Sequence, residues 1–237
     1  MSDLCLPLGL NKGDVNKLEN IVSSSKVLQP GEQVLDQGRR FDKIYAVKSG
    51  MCKSSRVDES GTEYVQGFHL SGEIFGLDAI YPGRYSFSVE TLDTTVLCEL
   101  DYHQLQDLCV SVPSLQRQMF NLLSRDIYNS LVNPIEHFDQ TAEQKLAGFL
   151  HNLSARLMAR GYAPNELYLP MSRRDIANHL EVTPETISRL LKKFQQKGVI
   201  EVENRSVRIM DSTQLESLVH CHALETTKNQ VEITQIA

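Results

Sequence analysis

Residues 171–196 read MSRRDIANHLEVTPETISRLLKKFQQ, and every local signal in them points one way. Ser172, with Asp175 three residues on, predicts a capped short helix that ends near Leu180. Glu181-Val182 then makes a turn. Thr183 caps a second helix whose first position is Pro184, where a missing N–H costs nothing. In that helix Ile187, Leu190, Leu191 and Phe194 fall at i, i+3, i+4 and i+7, the spacing of a buried stripe. The opposite face carries Glu185, Ser188, Arg189, Lys192 and Gln196, groups that hydrogen-bond base edges or phosphates. A short helix, a tight turn and a capped helix with a polar outer face predict a helix-turn-helix. The following IEVENRSVRIM alternates about Asn204-Arg205 and predicts a hairpin, placed as a wing. An ordinary helical hairpin with a solvated charged face shares the helical pattern. Two caps in register, the wing and the local charge favour a DNA reader.

Charge supports that choice. The chain has 237 residues and a net charge of −6, yet residues 171–208 carry 8 Lys/Arg against 5 Asp/Glu. A basic island in an acidic body is a modular nucleic-acid footprint. Direct-readout chemistry assigns Arg189 to guanine O6/N7, Glu185 to a cytosine or adenine amine, and Ser188 to a thymine edge or phosphate. The candidate DNA-binding set is Ser172, Arg174, Thr183, Glu185, Ser188, Arg189 and Lys192. With 41% hydrophobic and 23% charged residues the chain is an ordinary globular one, of one or two domains by length. No apolar run approaches the ~20 residues of a membrane helix. The five cysteines are irregularly spaced and odd in number, and the start shows no basic stretch leading into a long apolar run. Both features predict a cytoplasmic protein without a disulfide framework.

Upstream, glycines from Gly31 to Gly83 punctuate strand-like pieces such as KIYAVKSG, YVQGFHL, FSVETL and TVLCEL, with VDESGTE as a hairpin tip. About eight short strands from Lys26 to Leu100 predict a double-stranded roll. Residues 113–132 then lack glycine and place Leu115, Met119, Leu122, Leu123, Ile127 and Leu131 at helical spacing, with Pro113 in the first turn. Pro134 is expected to end or kink this helix. Thr141–Gln144 forms a capping box for a helix over about 142–158, and RGYAPNE reads as a turn-rich loop. The expected architecture is α+β: a jelly roll over 1–110, a long helix over 111–138, and a winged helix-turn-helix with a C-terminal tail over 139–237.

Together TPETISRLL, GFHLSGEIFGLDAI (67–80), KIYAVKSG (43–50) and HNLSARLMARGYAPNELYLPMSRRDIANHL (151–180) resemble the CRP/FNR family of transcription regulators, most closely its FNR (fumarate and nitrate reductase regulator) branch. The resemblance runs from LCLPLGLN to about residue 210. It implies a cupin-like β-roll, a dimerisation helix and a winged helix-turn-helix on promoter DNA, working with RNA polymerase. The E-x-x-S-R spacing of that branch falls on Glu185, Ser188 and Arg189. A homodimer implies a palindrome with half-sites like TTGAT facing ATCAA, about 10–10.5 bp apart. Its seam is assigned to Leu115, Met119, Leu122 or Leu123, and Ile127. Ser130 takes the next seam position, where oxygen-sensing relatives tend to carry an acidic residue. A neutral serine removes that repulsion, so a dimer is expected without any cofactor.

The resemblance also frames what the roll senses. Oxygen-sensing members hold a 4Fe–4S cluster with three cysteines near the N-terminus and one in the roll. Only Cys5 and Cys98 match those positions, so the cluster is not expected in its usual four-thiolate form. An upstream segment with further thiols, a cluster shared by two dimer-related pairs, a Cys5–Cys98 thiol switch and two relict cysteines all stay open. The switch needs Cα atoms roughly 4.4–6.8 Å apart. Members that bind cAMP place an Arg-Ser pair soon after a Gly-Glu pair. Here Gly72-Glu73 is followed by GRYSFSVET, with Arg84 one residue out of place and Tyr85 in place of serine, which argues against cAMP. No cofactor is assigned. The roll offers only His69 as an imidazole, and no triad or phosphate loop stands out, so no enzyme is expected. The alternative function is a ligand- or cyclic-nucleotide-responsive sensor module working through protein interaction.

Overall fold

A computed structural model describes residues 12–137 and 140–220, and divides the chain into two compact units, Met1–Asn133 and Pro134–Ala237. In the first, α1 (Lys12–Ile21) leads into eight strands: β1 (Val22–Leu28), β2 (Gln33–Leu35), β3 (Lys43–Ser49), β4 (Met51–Val57), β5 (Glu63–Leu70), β6 (Ile74–Phe75), β7 (Ser88–Thr91) and β8 (Thr95–Asp101). They form two four-stranded sheets, β1-β8-β3-β6 and β2-β7-β4-β5, paired antiparallel throughout. Helices α2 (Tyr102–Ser111) and α3 (Pro113–His137) follow.

Period-two alternation splits the unit's core. Tyr45, Val47 and Leu97 from one sheet meet Leu35, Cys52 and Val89 from the other inside the roll. The opposite pleat of β3 and β8 turns Ile44, Ala46, Cys98 and Leu100 outward, where Leu18, Leu105, Val112 and Leu115 of the helical segments cover them. The Asp101 side chain caps α2 by accepting from Gln104 N. The turn from β3 to β4 requires glycine: Gly50 has φ 86°, and a Cβ there would lie 2.5 Å from Thr95 Oγ1.

Two expectations are corrected here. Leu115 is not a residue of an intersubunit seam. It is 1% exposed within its own protomer's core, with Met119, Leu122 and Leu123 packed partly against the same cluster. Of the two outcomes expected at Pro134, an end or a kink, the end does not occur, since α3 continues to His137. A proline this close to a helix end removes one backbone donor, and three further residues remain helical. The division of the chain falls at 133/134, inside the long helix expected to carry it near residue 138. The Cys5 assignment lies outside the described residues, as does the side chain of Ser130.

The second unit contains α4 (Ala142–Met158), β9 (Glu166–Tyr168), α5 (Arg173–His179), α6 (Pro184–Gln196), β10 (Ile200–Glu203), β11 (Ser206–Ile209) and α7 (Ser212–His220). Leu146, Leu150 and Leu153 of α4 are buried, as are Ile176, Ile187, Phe194 and Leu215. A strand of three residues and two flanking helices, α1 and α7, were not legible: each is too short for periodicity to separate it from loop.

Candidate nucleic-acid interface

The helix-turn-helix is set by backbone chemistry at three points. Ser172 Oγ accepts from Asp175 N (3.1 Å) while the Asp175 carboxylate accepts from Ser172 N (3.0 Å), closing a reciprocal cap on α5. The turn follows in left-handed backbone at Glu181 (φ 56°), with Val182 N donating to Ala177 O at 2.9 Å. Thr183 Oγ1 then accepts from Thr186 N (3.3 Å), and Pro184 opens α6. Ser172 and Thr183 are both exposed, but their hydroxyls are engaged as caps. Of the candidate set these two build the scaffold first.

Burial fixes which side of α6 is offered to solvent. Ile187 and Phe194 are fully buried and Leu190 and Leu191 nearly so, whereas Glu185, Ser188, Arg189, Lys192 and Gln196 are exposed. The spacing brings these five onto one stripe of the helix. Glu185, Arg189, Lys192 and the exposed Arg174 of α5 make no hydrogen bond or ion pair with any described residue. Their hydrogen-bonding groups face water. Ser188 differs: its hydroxyl donates to Pro184 O at 3.0 Å, so in this rotamer it presents lone pairs outward and acts as an acceptor. Arg173, unlike Arg174, is partly buried, and desolvation pulls its guanidinium below its ordinary value.

The wing is a three-stranded sheet, β10-β11-β9. Asn204 (φ 55°) supplies the left-handed residue of the two-residue turn, and the Arg205 carbonyl accepts from Leu169 N at 2.7 Å, anchoring the tip. Two residues of α4 were missed. Lys145 Nζ donates to Leu180 O (3.2 Å) at the end of α5, and Glu143 takes both Lys193 and Lys197 of the α6 end. Their partners lie 35 to 54 positions away, beyond the reach of any local pattern.

In the roll, Arg84 is exposed and Nη1 donates to Gly38 O at 2.9 Å. Tyr85 is 2% exposed. Its hydroxyl accepts from Lys43 N (3.1 Å) and lies 2.8 Å from Lys43 O, and burial raises its phenol pKa. Tyr45 stacks on Phe75 with centroids 5.3 Å apart, and Phe41 meets Tyr85 edge-on at 5.7 Å. The interior beside Arg84 is thus filled by the chain's own rings.

Cys52 sits inside the roll and Cys98 on the opposite pleat beneath the helices, with Cys109 of α2 packed at that second cluster. Burial, followed by the Asp93 carboxylate, pushes the Cys52 thiol up to about 12, which opposes thiolate ligation. Among the described residues no group of three or more His, Cys, Asp or Glu converges as a metal site. The described thiols do not fit a four-thiolate cluster.

Residues 144–218 match the Crp-like helix-turn-helix domain, and residues 25–111 match the cyclic nucleotide-binding domain. The chain is 40% identical over 212 residues to "Transcriptional activator protein FnrA" of Stutzerimonas stutzeri, covering 90% of this chain and 87% of that protein. It is 38% identical over 218 residues to the "Fumarate and nitrate reduction regulatory protein" of Salmonella typhimurium, covering 92% and 87%. In fold it is similar to FixK2 of Bradyrhizobium japonicum, with TM-score 0.73 and 22% identity over 82% of this chain and 96% of that one.

Proposed function

The chain belongs to the CRP/FNR family of transcription regulators and is a sequence-specific DNA-binding regulator; from that premise we propose that α6 reads a palindromic promoter site in a cytoplasmic homodimer working with RNA polymerase. One observation carries the reading. The four recognition side chains Glu185, Ser188, Arg189 and Lys192 share the solvent face of a helix whose apolar face is buried. Arg189 contacts guanine O6/N7 through two parallel donors, and Glu185 accepts from an exocyclic amine. Ser188 accepts from a base amine, while Lys192 and Arg174 meet phosphate. The relative named a transcriptional activator supports RNA polymerase as the partner.

The buried Tyr85 and the outward Arg84 support a roll that takes no cAMP. The match of only Cys5 and Cys98 to ligand positions supports a chain without the usual four-thiolate cluster. Both are tested by equilibrium dialysis with cAMP and by iron content after anaerobic reconstitution, with near four irons per chain as the overturning result. The DNA reading is tested by fluorescence anisotropy on a duplex carrying TTGAT and ATCAA half-sites against a scrambled duplex, at rising salt. Retention of the palindrome after loss of the scrambled duplex is expected. Equal loss of both would overturn the reading.

A further inference from the structure

Glu143 lies in the first turn of α4, where the helix dipole favours a carboxylate. One of its oxygens takes Lys193 Nζ and the other lies 3.1 Å from Lys197 Nζ. Lys193 follows Lys192 by one residue, on the flank of α6 beside the recognition stripe, and Lys197 is the C-cap of α6. The carboxylate side chain is 23% exposed, against 46% and 42% for the two lysines, so the anion is the shielded member of the trio. Burial alone would raise its pKa. The two ammonium groups outweigh that and hold it below the ordinary carboxylate value. Lys145, two residues on, holds the Leu180 carbonyl at the turn of the same helix-turn-helix, where α5 ends. The turn of the motif and the end of α6 are therefore both tied to the start of α4.

We propose that Glu143 is a positioning residue for DNA recognition: it seats α6 against α4 and withholds Lys193 and Lys197 from DNA phosphate, leaving Arg174, Arg189 and Lys192 as the cations of this face. The inference rests on α6 being the DNA-facing helix. Its consequence is measurable because a lysine contributes to salt dependence only when it displaces a counterion from phosphate. Each such contact adds about 0.9 to the steepness of log K against log salt. An ammonium held on a carboxylate displaces none.

The test is the salt dependence of duplex binding by the full chain, on the palindromic and the scrambled DNA. Glu143→Gln is expected to steepen the slope by about 1 to 2 per recognition helix on both duplexes. It is also expected to narrow the ratio between them, because α6 has lost its seat. Glu143→Asp, which keeps the charge, is expected to retain the native slope. Lys193→Gln combined with Lys197→Gln is expected to leave the slope unchanged, and carries the test alone should Glu143→Gln not fold. An unchanged slope in a folded Glu143→Gln protein would overturn the inference, as would flattening by the lysine pair, since those lysines would already touch phosphate. Arg189→Ala, run alongside, separates the two levels. If it leaves discrimination intact, the α6 reading itself fails; if it removes discrimination while Glu143→Gln leaves the slope unmoved, only the role of Glu143 fails.

Discussion

Helices α3 and α6 carry apolar residues at the same kind of spacing, and the molecule uses them differently. In α6 one side is buried by its own unit and the other is entirely polar, with Phe194 and Ile187 inside and Arg189 and Lys192 outside. In α3 the apolar residues divide between two directions. Leu115, Met119, Leu122 and Leu123 turn toward the roll, while Phe120, Ile127 and Tyr128 stay more than half exposed. A polar face left open on a buried helix is built for polar atoms. An apolar face left open on a half-covered helix is what the proposed homodimer would cover, because exposed apolar area is unfavourable in water.

The largest effect that tests this contrast is on α3. Leu115→Ala is expected to lower unfolding stability by about 2–5 kcal/mol, through lost burial and a cavity under β3 and β8. Denaturation of dilute and concentrated samples checks it. A loss that grows on dilution would return Leu115 to an intersubunit seam. By contrast Ile127→Ser is expected to leave stability of the protomer within about 0.5 kcal/mol while weakening association in sedimentation.

On α6 the effect moves from stability to binding. Arg189→Ala is expected to cost about 1–3 kcal/mol on the palindromic duplex and little on the scrambled one, with an unchanged melting temperature. Loss shared equally by both duplexes would reduce Arg189 to a phosphate contact. Thr183→Ala removes the hydroxyl that accepts from Thr186 N, and is expected to cost about 1 kcal/mol of stability, read by thermal melting.

The smallest effect is pH-dependent. Because Glu143 is held below its ordinary carboxylate value when folded, its contribution is complete above about pH 4.3, the unfolded value. It is lost as pH falls through the lower folded value. The difference in stability between the native chain and Glu143→Gln is therefore expected to shrink on acidification. It stays below about 1 kcal/mol at neutral pH, since all three partners are partly solvated. A difference that widened toward acid would mean that the carboxylate is destabilised by folding.

The helix-turn-helix was readable because everything that makes it is local. Its caps act over three residues, its turn over two, and its buried stripe repeats at i, i+3, i+4 and i+7. Thr141–Gln144, Ser172–Asp175 and Thr183–Pro184 mark helix starts wherever they occur, and the structure uses all three. The hairpins at residues 58–62 and 204–205 were legible for the same reason.

What the amino-acid order determined by itself was the set of elements, their two periodicities, and the polar stripe on α6. Tertiary structure alone decided what each apolar face meets and which charges are already committed. Periodicity states that a side of α3 is apolar without naming its cover, so the covering of Cys98 and Leu100 by Leu115 rests on a pairing between positions 15 or more apart. Likewise Lys192 and Lys193 are identical neighbours in sequence. One makes no ion pair among the described residues and the other is bound to Glu143, because a helix turns them about 100° apart and only folding brings α4 beside one of them.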